Sequence, residues 1–174
     1  LSSPQAITTS SGILKVDSIS LFENSNISSI SLSESQTVNT PIGDFKINLI
    51  SYYENGKLLN IIFSSPYSIN TIIGNLTIQK LSFYENGKIL NLILNKTALF
   101  NSYLGNLKFR DISFYENGKI LNVNLVNPHI LKSPVGEIKS KVIYFYESGA
   151  VKIIVLSEHC IIQGKKYLYG TKLM

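Results

Sequence analysis

The sequence predicts an all-β protein, a solenoid-like array of β-hairpins that forms an elongated, twisted antiparallel sheet. Two sequence marks recur at a fixed interval of 31 residues along a chain of 174 residues. A fixed interval in this range is typical of repeat proteins, in which each unit buries its apolar face against its neighbours. In addition, β-branched and aromatic residues recur at spacings of two, the strand period, without a helical stripe.

The first mark is the pentapeptide Tyr-Glu-Asn-Gly-Lys, which stands at residues 53–57, 84–88 and 115–119. Degenerate copies begin at Phe22 and Tyr146, so the glutamates of all copies fall 31 residues apart. Asn-Gly supplies the two positive-φ residues of a type I′ turn, which joins two antiparallel strands. We therefore predict a type I′ hairpin at each copy, with the flanking Glu and Lys attracting each other across it.

The second mark is a glycine that predicts another turn or a corner. Its copies are Gly12, Gly43, Gly74, Gly105 and Gly136. Apolar residues that recur between the marks predict the core. The predicted core columns include Ile30, Ile61, Leu92, Val123 and Ile154; Ile19, Ile50, Leu81, Ile112 and Ile143; Leu21, Tyr52, Phe83, Phe114 and Phe145; and Phe45, Leu76, Leu107 and Ile138.

A second way of folding the same period remains open. In a parallel β-helix, each 31-residue unit would form one coil, and successive coils would rise by about 4.8 Å. The hairpin signal of Asn-Gly favours the antiparallel array over this alternative.

We interpret residues 1–174 as a single β-repeat domain with about five repeats. Residues 1–11 lack the pattern and are expected to form an irregular lead-in or a cap. Residues 157–174 diverge from the period, which favours a truncated C-terminal end, because solenoids need caps against edge-to-edge pairing. The chain does not begin with Met, so we expect a mature product that has lost a signal peptide, or an excised fragment.

The composition argues against several classes of protein. Hydrophobic residues make up 44% of the chain, too many for a disordered protein, and no apolar run approaches the roughly 18 residues of a membrane span. Cys160 is the single cysteine, so no disulfide can form within the chain. The formal charge of +5 comes from 15 lysines and one arginine against 11 acids, and scarce arginine argues against nucleic-acid binding. Abundant Lys, Asn and Ile beside scarce Arg are typical of AT-rich bacterial genomes.

The run Tyr-Tyr-Glu-Asn-Gly-Lys-Leu-Leu at residues 52–59 and its copies resemble the MORN-type repeats. The resemblance is to a bacterial variant whose consensus is a tyrosine pair followed by Glu-Asn-Gly-Lys-Leu, and it extends from residue 12 to about residue 170. It implies an array of β-hairpins with a scaffolding or membrane-proximal role, and the bacterial variant has also been labelled antitoxin-like. The unit of 31 residues is longer than the usual MORN period and lacks its second glycine pattern.

The tyrosines of the pentapeptide form the first candidate site for a partner. Tyr53, Tyr84, Tyr115 and Tyr146 each follow a core residue directly, so their rings are expected on the opposite side of the strand. A row of outward rings could bind a protein or a glycan by stacking. The alternative interpretation is that the rings cover the turns and pair across the hairpins.

Other candidate residues are basic or metal-ligating. Two lysine rows, Lys57, Lys88 and Lys119, and Lys15, Lys46, Lys108 and Lys139, could attract anionic partners, although we favour a solubilising role. His129 and Cys160 share one repeat column with His159 beside it, which could form a small metal or thiol site. No CxxC or HxxH spacing accompanies them. We therefore expect no catalytic residue, metal ligand or cofactor.

We predict a non-enzymatic bacterial repeat protein that presents an extended surface to a protein or glycan partner, in the cell envelope or outside the cell. Two other functions remain open, an antitoxin-like binding protein of the cytoplasm and a metal or thiol enzyme around His129, His159 and Cys160. Edge-to-edge self-association of the sheet is a further predicted contact.

Overall fold

A computed structural model describes residues 5–9, 12–133 and 136–174. The described residues form β-strands joined by turns, and none of them forms a helix that could cross a membrane. The strands are β1 Gln5–Thr9, β2 Gly12–Leu21, β3 Ile27–Thr40, β4 Gly43–Tyr52, β5 Leu58–Thr71, β6 Gly74–Phe83, β7 Ile89–Ser102, β8 Gly105–Phe114, β9 Ile120–Ser133, β10 Gly136–Phe145, β11 Val151–Leu156, β12 Cys160–Ile162, β13 Lys165–Tyr167 and β14 Lys172–Leu173. β1 lies within the expected irregular lead-in.

Strand order in the main sheet follows the chain. Among the described residues, the sheet has 12 strands, β1 to β11 and then β14, while β12 and β13 form a separate hairpin. Every pairing whose register is described is antiparallel. The predicted antiparallel array of hairpins is therefore confirmed, and the parallel β-helix is wrong. Both sequence marks reverse the chain within a few residues, so consecutive strands pair directly and need no crossover connection.

The turn at the pentapeptide differs from the predicted type I′ turn. Gly87 N donates to Tyr84 O at 2.9 Å and Tyr84 N donates to Lys88 O at 2.8 Å, which closes a three-residue loop over Glu85, Asn86 and Gly87. Gly87 has a φ of 81°, whereas Asn86 is not among the described residues with positive φ. This is a type I turn followed by a left-handed glycine, a G1 bulge. Because Glu85 joins the loop, only the glycine has to adopt positive φ.

The second mark forms tighter hairpins, which we call wings. They are the strand ends that meet at Gly12, Gly43, Gly74, Gly105 and Gly136. In the wing of β3 and β4, Thr40 pairs with Gly43, so Pro41 and Ile42 alone make the loop. The Thr40 hydroxyl donates to Gly43 O at 2.7 Å and accepts from Ile42 N at 3.4 Å. The side chain of Thr40, the last residue of β3, thus closes the loop.

One-residue bulges in β2, β4, β8 and β10 separate the wings from the part of the sheet around the pentapeptide turns, which we call the central sheet. In β4 the bulged residue is Asn48, which is exposed, and the register to β5 shifts between Ile47 and Leu49. Buried residues in β4 consequently follow the spacing Phe45, Ile47, Ile50, Tyr52. The bulge absorbs the extra residue, so the buried side chains of the wing and of the central sheet lie on one side of the strand.

The core lies where buried wing residues meet those of the central sheet. Phe45 of a wing contacts Phe63 with ring centroids 5.3 Å apart, and Phe100 contacts Phe145 at 6.1 Å. One buried column was not predicted: Val16, Ile47, Ile78, Phe109 and Ser140. Ser140 is fully buried in this column, and its hydroxyl lies 2.9 Å from Val142 O and 3.1 Å from Val155 O.

The chain divides into two compact units. Unit 1 comprises the described residues up to Ile69 together with Thr77–Leu92, and unit 2 comprises Asn70–Leu76 together with the described residues of Ile93–Met174. Five basic and six acidic residues give unit 1 a net charge of −1, whereas eleven basic and five acidic residues give unit 2 a net charge of +6. The positive charge of the protein is therefore concentrated in unit 2.

Candidate functional site

The tyrosine hydroxyls of the pentapeptide turns bind the backbone of the following repeat. Tyr53 Oη donates to Phe83 O at 2.8 Å in unit 1, and Tyr115 Oη donates to Phe145 O at 2.8 Å in unit 2. Both tyrosines are half-buried. Partial burial, with a smaller contribution from the Glu85 carboxylate, raises the pKa of Tyr53 above its ordinary value of 10.0. These two hydroxyls therefore link consecutive turns.

The asparagines of the turns form a second link between repeats. Asn55 Nδ2 donates to Glu85 Oε2 at 2.8 Å, and Asn117 Nδ2 donates to Glu147 Oε2 at 2.6 Å. Hydrogen bonds to a carboxylate are stronger than those between neutral groups. The glutamate that was expected to face the lysine of its own turn, Glu85, thus binds the preceding turn. Polar side chains of the pentapeptide therefore form hydrogen bonds that join consecutive repeats.

The four candidate tyrosines differ in exposure. Tyr53, Tyr84 and Tyr115 are half-buried, whereas Tyr146 is 51% exposed and has Lys152 Nζ 5.4 Å from its ring centroid. This placement agrees with the interpretation that the rings cover the turns. Partner binding by the tyrosine row stays a prediction.

The two candidate histidines have backbone partners. His129 Nε2 lies 3.0 Å from Leu104 O, and because a carbonyl only accepts, Nε2 carries the proton. His159 Nδ1 accepts a hydrogen bond from Tyr169 N at 2.8 Å. Cys160 is half-buried. Within the described ranges, no group of three or more His, Cys, Asp or Glu residues is placed to hold a metal ion, so no ligand set is assembled around them.

A surface that sequence reasoning missed lies on the exposed side of two wings of unit 2, β7–β8 and β9–β10, and of the separate hairpin β12–β13. Leu99 is 60% exposed, Ile130 is 48% exposed and Ile161 is 72% exposed. The three residues are 31 apart and continue a column whose earlier members are small or polar: Ala6, Thr37 and Ser68. The change of this column from polar to aliphatic was readable in the sequence, because every outward position of a repeat can be aligned by the period.

Two aliphatic residues of this column are paired with a lysine on the neighbouring strand. Ile130 pairs with Lys139, and Ile161 pairs with Lys166. Leu99 and Lys108 hold the equivalent positions one repeat before Ile130 and Lys139. We call these residues the unit 2 wing surface: Leu99, Lys108, Ile130, Lys139, Ile161 and Lys166.

Polar contacts join the hairpins that carry the unit 2 wing surface. The hydrogen bond of His129 to Leu104 O connects β9 to the loop between β7 and β8. Ser157 N donates to Lys139 O at 3.0 Å, and Lys139 Nζ forms an ion pair with Glu158 at 3.1 Å. The segment that leads into β12 is thus attached to β10, and the three hairpins form one connected region.

Comparison with known proteins bears on the central hairpins. A family model described as MORN repeat variant matches residues 48–64. No curated protein and no solved structure matches the chain. The matched residues cover the end of β4, the turn at residues 53–57 and the first part of β5, which together make one hairpin of the central sheet. The resemblance drawn from the pentapeptide is therefore confirmed, and this protein is a MORN-like repeat protein built from β-hairpins.

Proposed function

We propose that the protein is a non-enzymatic repeat scaffold that binds a partner protein on the outward side of its wings. The observation that carries this proposal is the column of exposed aliphatic residues Leu99, Ile130 and Ile161. Clustered apolar residues on a protein surface mark interaction sites, whereas scattered ones need no explanation.

The contrast between the inside and the outside of the repeats supports a scaffold. The column of Ile50, Leu81, Ile112 and Ile143 is apolar and fully buried, as repeat packing requires. The outward column of Thr37 and Ile130 instead changes its chemistry along the chain. Buried residues that repeat provide the same fold in every unit, and exposed residues that vary can make one region specific for a partner. A scaffold with a specialised binding region needs both.

A protein is the favoured partner over a glycan. The exposed column is aliphatic, and three of the four candidate tyrosines, Tyr53, Tyr84 and Tyr115, are half-buried and offer little ring surface to a sugar. The proposal keeps the location predicted from the sequence, the cell envelope or the extracellular space, which fractionation of the producing cells tests.

Site-specific crosslinking tests the proposal. A photoreactive phenylalanine derivative replaces Ile130 in one variant and Thr37 in the other, since the two residues share one repeat column. Irradiation of cells that produce these variants should give a discrete higher-mass adduct for position 130 and none for position 37. Equal yields at both positions, or no adduct at either, contradict the proposal. Hydrolase activity that a single substitution abolishes would contradict its non-enzymatic part.

A further inference from the structure

We infer that the unit 2 wing surface binds an acidic polypeptide segment that presents aliphatic and carboxylate side chains on one face. The inference rests on the proposed function and adds the chemistry of the partner. Its grounds are the exposed aliphatic column, the lysines paired with Ile130 and Ile161, and the net charge of the unit.

The apolar part of the surface is a short column. Leu99, Ile130 and Ile161 recur at the repeat interval and are exposed by 60%, 48% and 72%. The strand residue that follows Ile130, Leu131, is buried, so the aliphatic column and the core lie on opposite sides of β9. The exposed residues are therefore available to a partner without any rearrangement of the core.

The charged part of the surface complements an acidic segment. Ile130 and Ile161 are directly opposite Lys139 and Lys166 in their hairpins. Unit 2 carries the net charge of +6, whereas unit 1, with Thr37 in the same column, carries −1. Complementary charge raises the association rate and favours the correct partner. Apolar contacts at the centre of an interface supply most of the binding energy.

Nucleic acid fits this surface less well than a polypeptide does. Arg110 is the only arginine of the protein, and the exposed column offers aliphatic side chains instead of the aromatic rings on which bases stack.

An anionic bilayer also fits less well than a polypeptide does. Carboxylates are placed among the lysines, since Glu137 pairs with Lys132 across the hairpin and Glu158 binds Lys139 at 3.1 Å. An anionic membrane repels every carboxylate held at its surface. A polypeptide can place neutral or basic side chains opposite Glu137 and Glu158.

Binding of a defined peptide tests the inference. The probe is a fluorescent peptide of Leu-Ser-Glu-Ser repeats, which in extended form presents Leu and Glu on one face. We expect its fluorescence anisotropy to rise with the concentration of the full chain, and the affinity to fall with added salt. The same peptide with Lys in place of Glu should not bind.

Two variants distinguish peptide binding at the unit 2 wing surface from nonspecific binding to any exposed apolar side chain. The triple variant Leu99→Thr, Ile130→Thr, Ile161→Thr should weaken binding of the Glu peptide by about tenfold or more. Ile13→Thr, which removes an aliphatic side chain of 73% exposure in unit 1, should leave it unchanged. Thermal unfolding of both variants shows that they remain folded, as expected for changes at exposed positions.

Several outcomes overturn the inference. Equal affinity of the triple variant and the unmodified protein places the binding elsewhere. Binding to phosphatidylglycerol vesicles without binding to the Glu peptide assigns the surface to a membrane. A crosslinked partner at position 130 whose contacting segment is not acidic would leave the proposed function standing while removing this inference.

Discussion

At the scale of single residues, the same glycine position meets different surroundings in successive repeats. Gly56 and Gly87 close equivalent turns with φ of 77° and 81°. A methyl group added at Gly56 would have no atom within 4 Å, whereas one added at Gly87 would lie 3.0 Å from Pro41 Cβ. Pro41 is at the tip of the wing between β3 and β4, so this wing folds back onto the turn at Gly87.

This difference gives a prediction for two alanine substitutions. Gly56→Ala should lower the free energy of unfolding by about 1 to 2 kcal/mol, the cost of a left-handed conformation for a residue with a Cβ. Gly87→Ala should cost about 1 kcal/mol or more in addition, because the new methyl group overlaps Pro41. Denaturant titration of both variants measures the difference. Equal losses would show that the wing does not press on the turn.

At the scale of elements, the bulge at Asn48 decides which side chains of β4 enter the core. Phe45 and Ile47 precede it and Ile50 and Tyr52 follow it, and all four are buried. If Asn48 continued a regular strand and formed no bulge, the period of two would turn the second pair outward and bring Leu49 and Ser51 inward. The exposed residue at the bulge therefore acts through its backbone.

Deletion and substitution of Asn48 distinguish the contribution of the backbone bulge to stability from that of the Asn48 side chain. Deletion of Asn48 should lower the free energy of unfolding more than Asn48→Ala does, because it removes the bend of the bulge, while Phe45, Ile47, Ile50 and Tyr52 still alternate on one side of the strand. Asn48→Ala should change the free energy of unfolding by less than about 0.5 kcal/mol, as for other exposed positions. Thermal melting followed by far-ultraviolet circular dichroism tests both. Equal losses of stability for the deletion and for Asn48→Ala would contradict this role of the bulge.

At the scale of the whole molecule, the position of a repeat in the array matters as well as its sequence. Leu21 and Phe83 belong to one column, yet Leu21 is 59% exposed and Phe83 is fully buried. Along the described part of the chain, β1 pairs with β2 only at residues 12–16, so Leu21 has a strand on one side alone. Ile19, 41% exposed where Ile50 is fully buried, shows the same effect.

Alanine substitutions in one column should show that its members contribute unequally to stability. Phe83→Ala should destabilise the protein by about 3 to 5 kcal/mol, the range for a large side chain removed from a core. Leu21→Ala should cost less than about 1 kcal/mol, because most of its surface is already in water. Chemical denaturation of the two variants provides the comparison. A large loss for Leu21→Ala would mean that another part of the protein covers it in solution.

Much of the fold was predictable because it follows from local chemistry. Glycine at Gly43 and Gly87 allows the positive φ that each turn needs, and strand spacing identified the buried columns. The type of the pentapeptide turn was not predictable from Asn-Gly alone, since the participation of Glu85 in the loop decides it. The buried column of Ile47 was missed because the bulge at Asn48 interrupts the period of two.

The candidate site was less predictable than the fold. The sequence predicted an outward ring for Tyr53 but did not predict that its hydroxyl reaches the backbone of the next repeat. The exposed column at Ile130 was visible as a change from polar to aliphatic, but its exposure depends on which side of the wing faces the core.

The sequence by itself determined the repeat, the hairpins and the identity of most buried columns, because turn chemistry and strand periodicity act over a few residues. Only the tertiary structure decided which groups of one repeat bind the next, which copies of a column are covered and which side of each wing remains exposed. Those properties depend on contacts between residues far apart in the chain, such as Tyr53 with Phe83 and Pro41 with Gly87, which no local pattern specifies.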